Sequence, residues 1–485
     1  MSKKSIGKNY IYNVIYQILL IVVPLITTPY ISRVLGPEGN GTYSYTYSIV
    51  TYFVLVASLG TQNYGQREVA YVQNDKKKVS QVFWELVAFR GLMTIIAGLC
   101  YFIFLFTVSK EERLIYCIQG LYIVAVAFDI TWFFQGLEEF GKVVFRNCVV
   151  KIVNIIYIFT MVKSKDDVIV YIGGLAVLTL VGQISIWPYI SRYVEMKKPE
   201  KFNPLRGLKD IISLFIPTVA IQVYTVIDKT MIGIYDTTMV ENGYYEQAQK
   251  IVKMSLTVLT SLSTVMIPRI AMAYANREKA ELKRYMYNSF RFIMFLAFPM
   301  MIGVSAITGS LVPWFFGNGY EKVKLLIPIF STLYIFIGFS NIIGIQYLVP
   351  TKRQNVLTVT VVCGACINFV LNLVMIPRWY SVGAAISSII AECAITCLQL
   401  TYVIRGEKLI KLKDLLRPGM KYMLSAVVMG IVIKIEAIYM SETIITTAFM
   451  IATGCIVYVV CLLICKDDVL TEFIDKMKMK IGRNF

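Results

Sequence analysis

The side chains best placed to do chemistry here are ionisable groups stranded in long apolar runs. Arg90, Asp129, Asp228, Lys229, Lys250, Lys253 and Glu392 all sit in such runs, and Glu246 lies one turn before Lys250. Charge inside a hydrocarbon layer is expensive, so each of these residues is a functional candidate by default. Glu246 and Lys250 stand at i,i+4, and Lys250 and Lys253 at i,i+3, so a helix brings all three to one face. A cationic stripe of that kind suits an anion such as a phosphate or a uronate. Snorkelling at a helix end is the other reading of Lys253. Arg90 either lines a cavity or lies near a helix end and sets topology. Asp228 also has two readings. Asn368 and Asn372 are i,i+4 on one run, and Ser387 and Ser388 lie on the next. Their oxygens, with the Asp228 carboxylate, are hard donors suited to Na⁺ or H⁺ coupling. The simpler reading is an ion pair of Asp228 with Lys229 or with another helix. No firm metal site follows.

The elements that must position these residues are membrane helices. Of 485 residues, 57% are hydrophobic and 16% charged, against about 25% charged in soluble domains. The chain reads as an all-α integral membrane protein with about 14 apolar runs, from 9–31 to 443–465, each able to cross a ~30 Å hydrocarbon core. Lys3, Lys4 and Lys8 precede a first run too long for a signal peptide, which reads as a signal anchor. The net charge of +18 comes from basic residues between the runs. That pattern marks cytoplasmic loops and not a nucleic-acid surface. With the N-terminus inside, the even-numbered connections carry Lys76-Lys77-Lys78, Lys197, Lys198, Lys201 and Lys408. They hold roughly four times the basic residues of the odd ones, so both termini are expected to be cytoplasmic.

The runs repeat. Asn40-Gly-Thr-Tyr43 returns as Asn242-Gly-Tyr-Tyr245, Arg67 as Arg269, and Phe89-Arg90 as Phe290-Arg291. Leu121-Tyr-Ile123 returns as Leu333-Tyr-Ile335, and Gln135-Gly-Leu137 as Gln346-Tyr-Leu348. The order is kept and the offset nearly constant. Two copies of six spans then share one orientation, with a cavity between them. The expected division is 1–205 for the first lobe, 206–405 for the second, and 406–485 for two further helices and a tail.

Several chemistries are excluded. The chain has no His, which removes imidazole bases, ligands and proton relays. Cys363-Gly-Ala-Cys366 has redox spacing but lies mid-span, so small buried residues are the expected role. There is no Walker loop, and no connection is long enough to house a transferase or polymerase site. No cofactor is expected. Pro24, Pro217, Pro268, Pro299 and Pro313 lie in or at the ends of spans, where they kink helices as a rocking carrier requires. The chain has 32 Tyr, which serve either as an interfacial belt or as stacking surfaces for sugars.

Arg33-Val-Leu-Gly-Pro-Glu-Gly-Asn-Gly-Thr-Tyr43, at the end of the first span, resembles the signature of the bacterial polysaccharide transporter family. These are the Wzx-type lipid-linked oligosaccharide flippases of the multidrug/oligosaccharidyl-lipid/polysaccharide exporter superfamily. The resemblance runs over essentially the whole chain. It implies a non-enzymatic flippase in the bacterial cell membrane, working by alternating access between two six-helix lobes. It implies an undecaprenyl-pyrophosphate-linked repeat unit as substrate, and a cationic cavity to which Arg33, Arg90, Lys250 and Lys253 would contribute. Pathway polymerases and glycosyltransferases are the expected partners, besides membrane lipids. The rival readings are a cation-coupled multidrug exporter of the same superfamily and, from a different class, a membrane-embedded polysaccharide polymerase.

Overall fold

The computed structural model describes residues 6–196, 202–407, 409–467 and 469–471. Lys3, Lys4, Lys197, Lys198, Lys201, Lys408 and the tail from 472 lie outside the described residues. Side chains are not described for 6–16 or for a few positions in 214–221 and 262–265, Pro217 among them.

No strand occurs among the described residues. The chain divides into two compact units, Met1–Gly243 and Tyr244–Phe485. The first holds α1 (Ile6–Ser58), α2 (Thr61–Val72), α3 (Lys76–Leu105), α4 (Lys110–Gln119), α5 (Leu121–Phe128), α6 (Thr131–Gly136), α7 (Phe140–Met161), α8 (Val168–Ile184) and α9 (Leu208–Tyr235). The helix α10 (Val240–Ala275) starts at the boundary. The second unit continues with α11 (Lys279–Phe316), α12 (Val323–Ser331), α13 (Leu333–Asn341), a π-helical turn at Ile342–Leu348, α14 (Gln354–Thr401), α15 (Leu412–Tyr439) and α16 (Ile444–Ile464).

Eleven helices among the described residues are long and apolar enough to cross a membrane. Three places account for the difference from the hydropathy reading. Gln17–Val72 is 56 residues and Gln354–Gly406 is 53, or roughly 80 Å each if straight, far beyond one bilayer core. The first breaks at Gly36 (φ 69°) and the second at Tyr380 (φ 47°). The arms of α14 fold back on each other, since Gln399 donates to Thr360 at 3.2 Å. A Cβ on Gly364 would lie 2.3 Å from Ile395 Cγ1. The third place is α9, a 28-residue helix outside the eleven.

The repeated Asn-Gly motif has a packing reason in the first unit. A Cβ on Gly41 would fall 1.7 Å from the Met239 carbonyl oxygen, and one on Gly243 would fall 2.0 Å from the Pro37 carbonyl oxygen. The two motif copies thus meet backbone to backbone, and only glycine leaves room. Both asparagines are buried and tie down nearby carbonyls: Asn40 donates to Gly36 O at 2.7 Å, and Asn242 to Lys229 O at 3.0 Å. The helix α9 joins the same unit, with Thr230 within 2.8 Å of Ser48 Oγ and 3.0 Å of Tyr52 OH.

Candidate functional site

The site grows from a break in a membrane helix. The helix α5 stops at Phe128, Asp129 is extended (ψ 104°), and α6 restarts at Thr131. A broken helix in a membrane frees carbonyls that water cannot reach, so the protein must satisfy them. Trp187 Nε1 donates to Phe128 O at 2.8 Å, and Arg90 donates to Asp129 O. The Asp129 carboxylate caps α6, accepting from Thr131 N at 2.9 Å and from the Thr131 hydroxyl. Its second oxygen meets Arg90 Nη2 at 3.4 Å. Arg90 is 3% exposed and lies about 21 Å along α3 from Lys76, well inside a span. Its place is therefore an ion pair that holds the break.

Beside this pair lies a polar cavity of about 370 Å³, lined among others by Gln62, Asp129, Gln135, Arg146, Asn147 and Gln183. Gln62 donates to Gln135 at 3.1 Å. Arg146 donates to Gln183 Oε1 at 2.5 Å, Gly182 O at 3.2 Å and Thr131 Oγ1 at 3.3 Å, and stands within Coulombic reach of Asp129. The spacing Asn147, Lys151, Asn154 puts three polar side chains on one face of α7. Lys151 lies mid-span and has no hydrogen-bond or ion-pair partner among the described residues. Asn154 Oδ1 is buried and unpartnered. Arg90 and Arg146 thus flank one carboxylate, with Lys151 a little over one turn beyond Arg146 on α7, and such an excess of cations attracts an anion.

The remaining sequence candidates distribute as follows. Arg33 is exposed, just before the Gly36 break. Asp228 is buried on α9 in the first unit. Lys250 is half-buried and Lys253 exposed, both on α10 with half-buried Glu246, in the second unit. Asn368 and Asn372 are fully buried on the first arm of α14, where Asn372 donates to Asn368 at 3.1 Å and Asn368 Nδ2 is unpartnered. Ser387 donates to Gly383 O at 2.9 Å on the second arm. Among the described residues no group of three or more His, Cys, Asp or Glu is placed to hold a metal. Sequence reasoning missed Arg146 and Lys151. The signal was the helical spacing of Asn147, Lys151 and Asn154, hidden in an otherwise apolar run.

The profile of a family described as "Polysaccharide biosynthesis protein" matches residues 6–274, more than half of the chain. The chain belongs to this family. It is 24% identical over 417 residues to a putative O-antigen transporter of Escherichia coli K12, covering 84% of this chain and 99% of the relative. It is 20% identical over 499 residues to the lipid II flippase MurJ of Bacillus subtilis, covering 90% and 89%. Among solved structures, MurJ in an inward closed conformation matches with a TM-score of 0.73 at 16% identity, over 95% of this chain and 99% of that one. An inward-facing multidrug transporter of the MATE family in the MOP superfamily matches with a TM-score of 0.63 at 14% identity, over 81% and 95%. The chain is a multi-pass membrane transporter with the fold of that superfamily.

Proposed function

We propose that the chain is a flippase for an undecaprenyl-pyrophosphate-linked oligosaccharide, moving repeat units from the cytoplasmic to the outer leaflet for capsule, exopolysaccharide or O-antigen assembly. The observation that carries this is the cation excess inside the first unit, where Arg90 and Arg146 flank Asp129 and Lys151 lies mid-span on the same helix as Arg146 with no ion-pair partner among the described residues. A buried cation costs about 3 kcal/mol or more, and a passing pyrophosphate would offset that cost. Relatives named for O-antigen and lipid II support the lipid-linked class. In this reading Lys151 and Arg146 meet the phosphates. Arg90 keeps the broken helix in place and adds to the positive potential; Arg33 is a further cation of the first unit, and Lys250 and Lys253 form a cationic stripe on α10 in the second. The lobes are 1–205 and 206–405, with 406–485 trailing, and they alternate access in the bacterial cytoplasmic membrane with both termini inside. Glycosyltransferases supply the substrate and a polymerase consumes it.

The test is complementation of a strain lacking its own polysaccharide transporter. Lys151→Gln should cut surface polysaccharide about tenfold, the scale of losing one hydrogen bond to a charged group. Lipid-linked units should accumulate while protein level stays normal. Wild-type output from both Lys151→Gln and Arg146→Gln would remove the site from the reading.

A cation-coupled multidrug exporter is the second reading. It is supported by the MATE-like fold, by buried Asp228 and by the buried carboxamides of Asn368 and Asn372. A Na⁺ at Asp228 would favour one carrier state by its differential affinity. Transport in liposomes with and without Na⁺ and H⁺ gradients separates the two readings. A rate that ignores both gradients, and is unchanged in Asp228→Asn, makes Asp228 structural.

A further inference from the structure

On the outside of the first unit, α7 and α8 enclose a second cavity of about 460 Å³. The helices touch where Gly182 faces Val150, since a Cβ there would lie 2.8 Å from Val150 Cγ2. Below that contact α8 ends at Ile184 and the chain turns into a short 3₁₀ segment, Trp187–Arg192. The helices part, and Gly141 and Ser185 leave the space open. Phe145, Val149, Val153 and Val181 form apolar walls, all exposed as lipid-facing residues are. Among the described residues the charged groups lining it are both cationic, Lys142 and Arg146, one turn apart at one end. Lys142 sits 4.3 Å from the Tyr193 ring centroid and donates to the Tyr193 hydroxyl, with Glu139 at 3.7 Å.

From the geometry we infer that this groove binds one anionic phospholipid of the bilayer, its phosphate at Lys142 and Arg146 and an acyl chain along Phe145–Val153. Charge complementarity argues for the phosphate. Length argues for a bilayer lipid over a long prenyl carrier. Lys142 to Val153 spans about 16 Å of helix, close to half of a ~30 Å hydrocarbon core, so the groove reaches one leaflet deep. Arg146 lines both this groove and the interior cavity. A bound phosphate would therefore draw on the same guanidinium that faces Asp129, coupling the interior charge balance to leaflet composition.

The test reads binding and is independent of transport. Purified protein is exchanged into micelles holding equal phosphatidylglycerol and phosphatidylcholine, and retained lipid is counted by native mass spectrometry. One phosphatidylglycerol should be retained in preference to phosphatidylcholine. Lys142→Gln should weaken retention about fivefold, the factor that ~1 kcal/mol per basic residue amounts to. Ser185→Phe, which fills the groove, should abolish retention, while gel-filtration profiles of both variants match wild type. Equal retention of the two lipids, or wild-type retention by both variants, overturns the inference. So does displacement of phosphatidylglycerol by an equimolar polyprenyl phosphate, which would make the groove a carrier-lipid site. Unaltered protein that retains phosphatidylglycerol but moves no lipid-linked oligosaccharide in liposomes would instead count against the proposed flippase role alone.

Discussion

The two repeats carry the same Phe-Arg pair and balance its charge differently. In the first, Arg90 meets Asp129 at 3.4 Å, on the broken helix of its own half. In the second, Arg291 meets Asp467 at 3.8 Å, just past the end of α16. The position that Asp129 fills in the first repeat falls at Ser340-Asn341 in the second, where the helix runs on through a π turn and Asn341 accepts from Ser263. With no carboxylate there, the second repeat borrows one from the trailing helices. Those helices are built in, since Tyr458 OH donates to Phe295 O at 2.8 Å and Trp314 Nε1 to Thr447 at 2.7 Å. The extra pair therefore completes the electrostatics of the second unit, and the first unit keeps a break and a cavity where the second keeps a continuous helix.

The largest expected effect tests where the halves are alike. Gly41→Val and Gly243→Val each drive a side chain into a backbone oxygen, at 1.7 and 2.0 Å for the Cβ alone. Both should lose most of the folded, monodisperse protein on gel filtration. Tolerance of one alone would show that the motif copies are not equivalent.

The next prediction tests where the halves differ. Asp129→Leu strands a guanidinium that is 3% exposed, whereas Asp467→Leu removes the carboxylate from one that is 13% exposed and still faces Tyr422 and the Tyr287 ring. The first should cost about 3–5 kcal/mol in thermal unfolding in detergent and the second less, because removing one partner of a buried pair leaves an uncompensated charge. Equal losses would break the comparison. Adding Arg90→Leu to Asp129→Leu should recover most of the loss, since an apolar pair replaces a buried ion pair at little cost. No recovery would mean that the Asp129 cap on α6 matters more than its charge pairing.

The smallest effect concerns the matched glutamines. Gln346 donates to Ser289 at 2.5 Å in a fully buried site, whereas Gln62 donates to Gln135 at 3.1 Å beside the polar cavity. Gln346→Ala should cost about 1–3 kcal/mol by leaving buried groups unsatisfied, and Gln135→Ala less than 1 kcal/mol, because the cavity admits water. The reverse order would place the polar cavity in the second half.

By itself the amino-acid order determined the membrane class, the two-fold repeat and the unusual character of Arg90. Hydropathy, motif spacing and the cost of charge in lipid are local or additive, so they survive without coordinates. The order could not give Arg90 its partner. Asp129 is 39 residues away, and no Pro or Gly marks the break in Phe128-Asp-Ile-Thr131. Lys151 was overlooked because one charge barely changes the hydropathy of an apolar run. Its importance depends on which face of α7 turns inward. Only the tertiary structure decided these points, because pairing, cavity and groove depend on how helices rotate and pack, and that is set by contacts such as Gly182 on Val150 rather than by the composition of any one span.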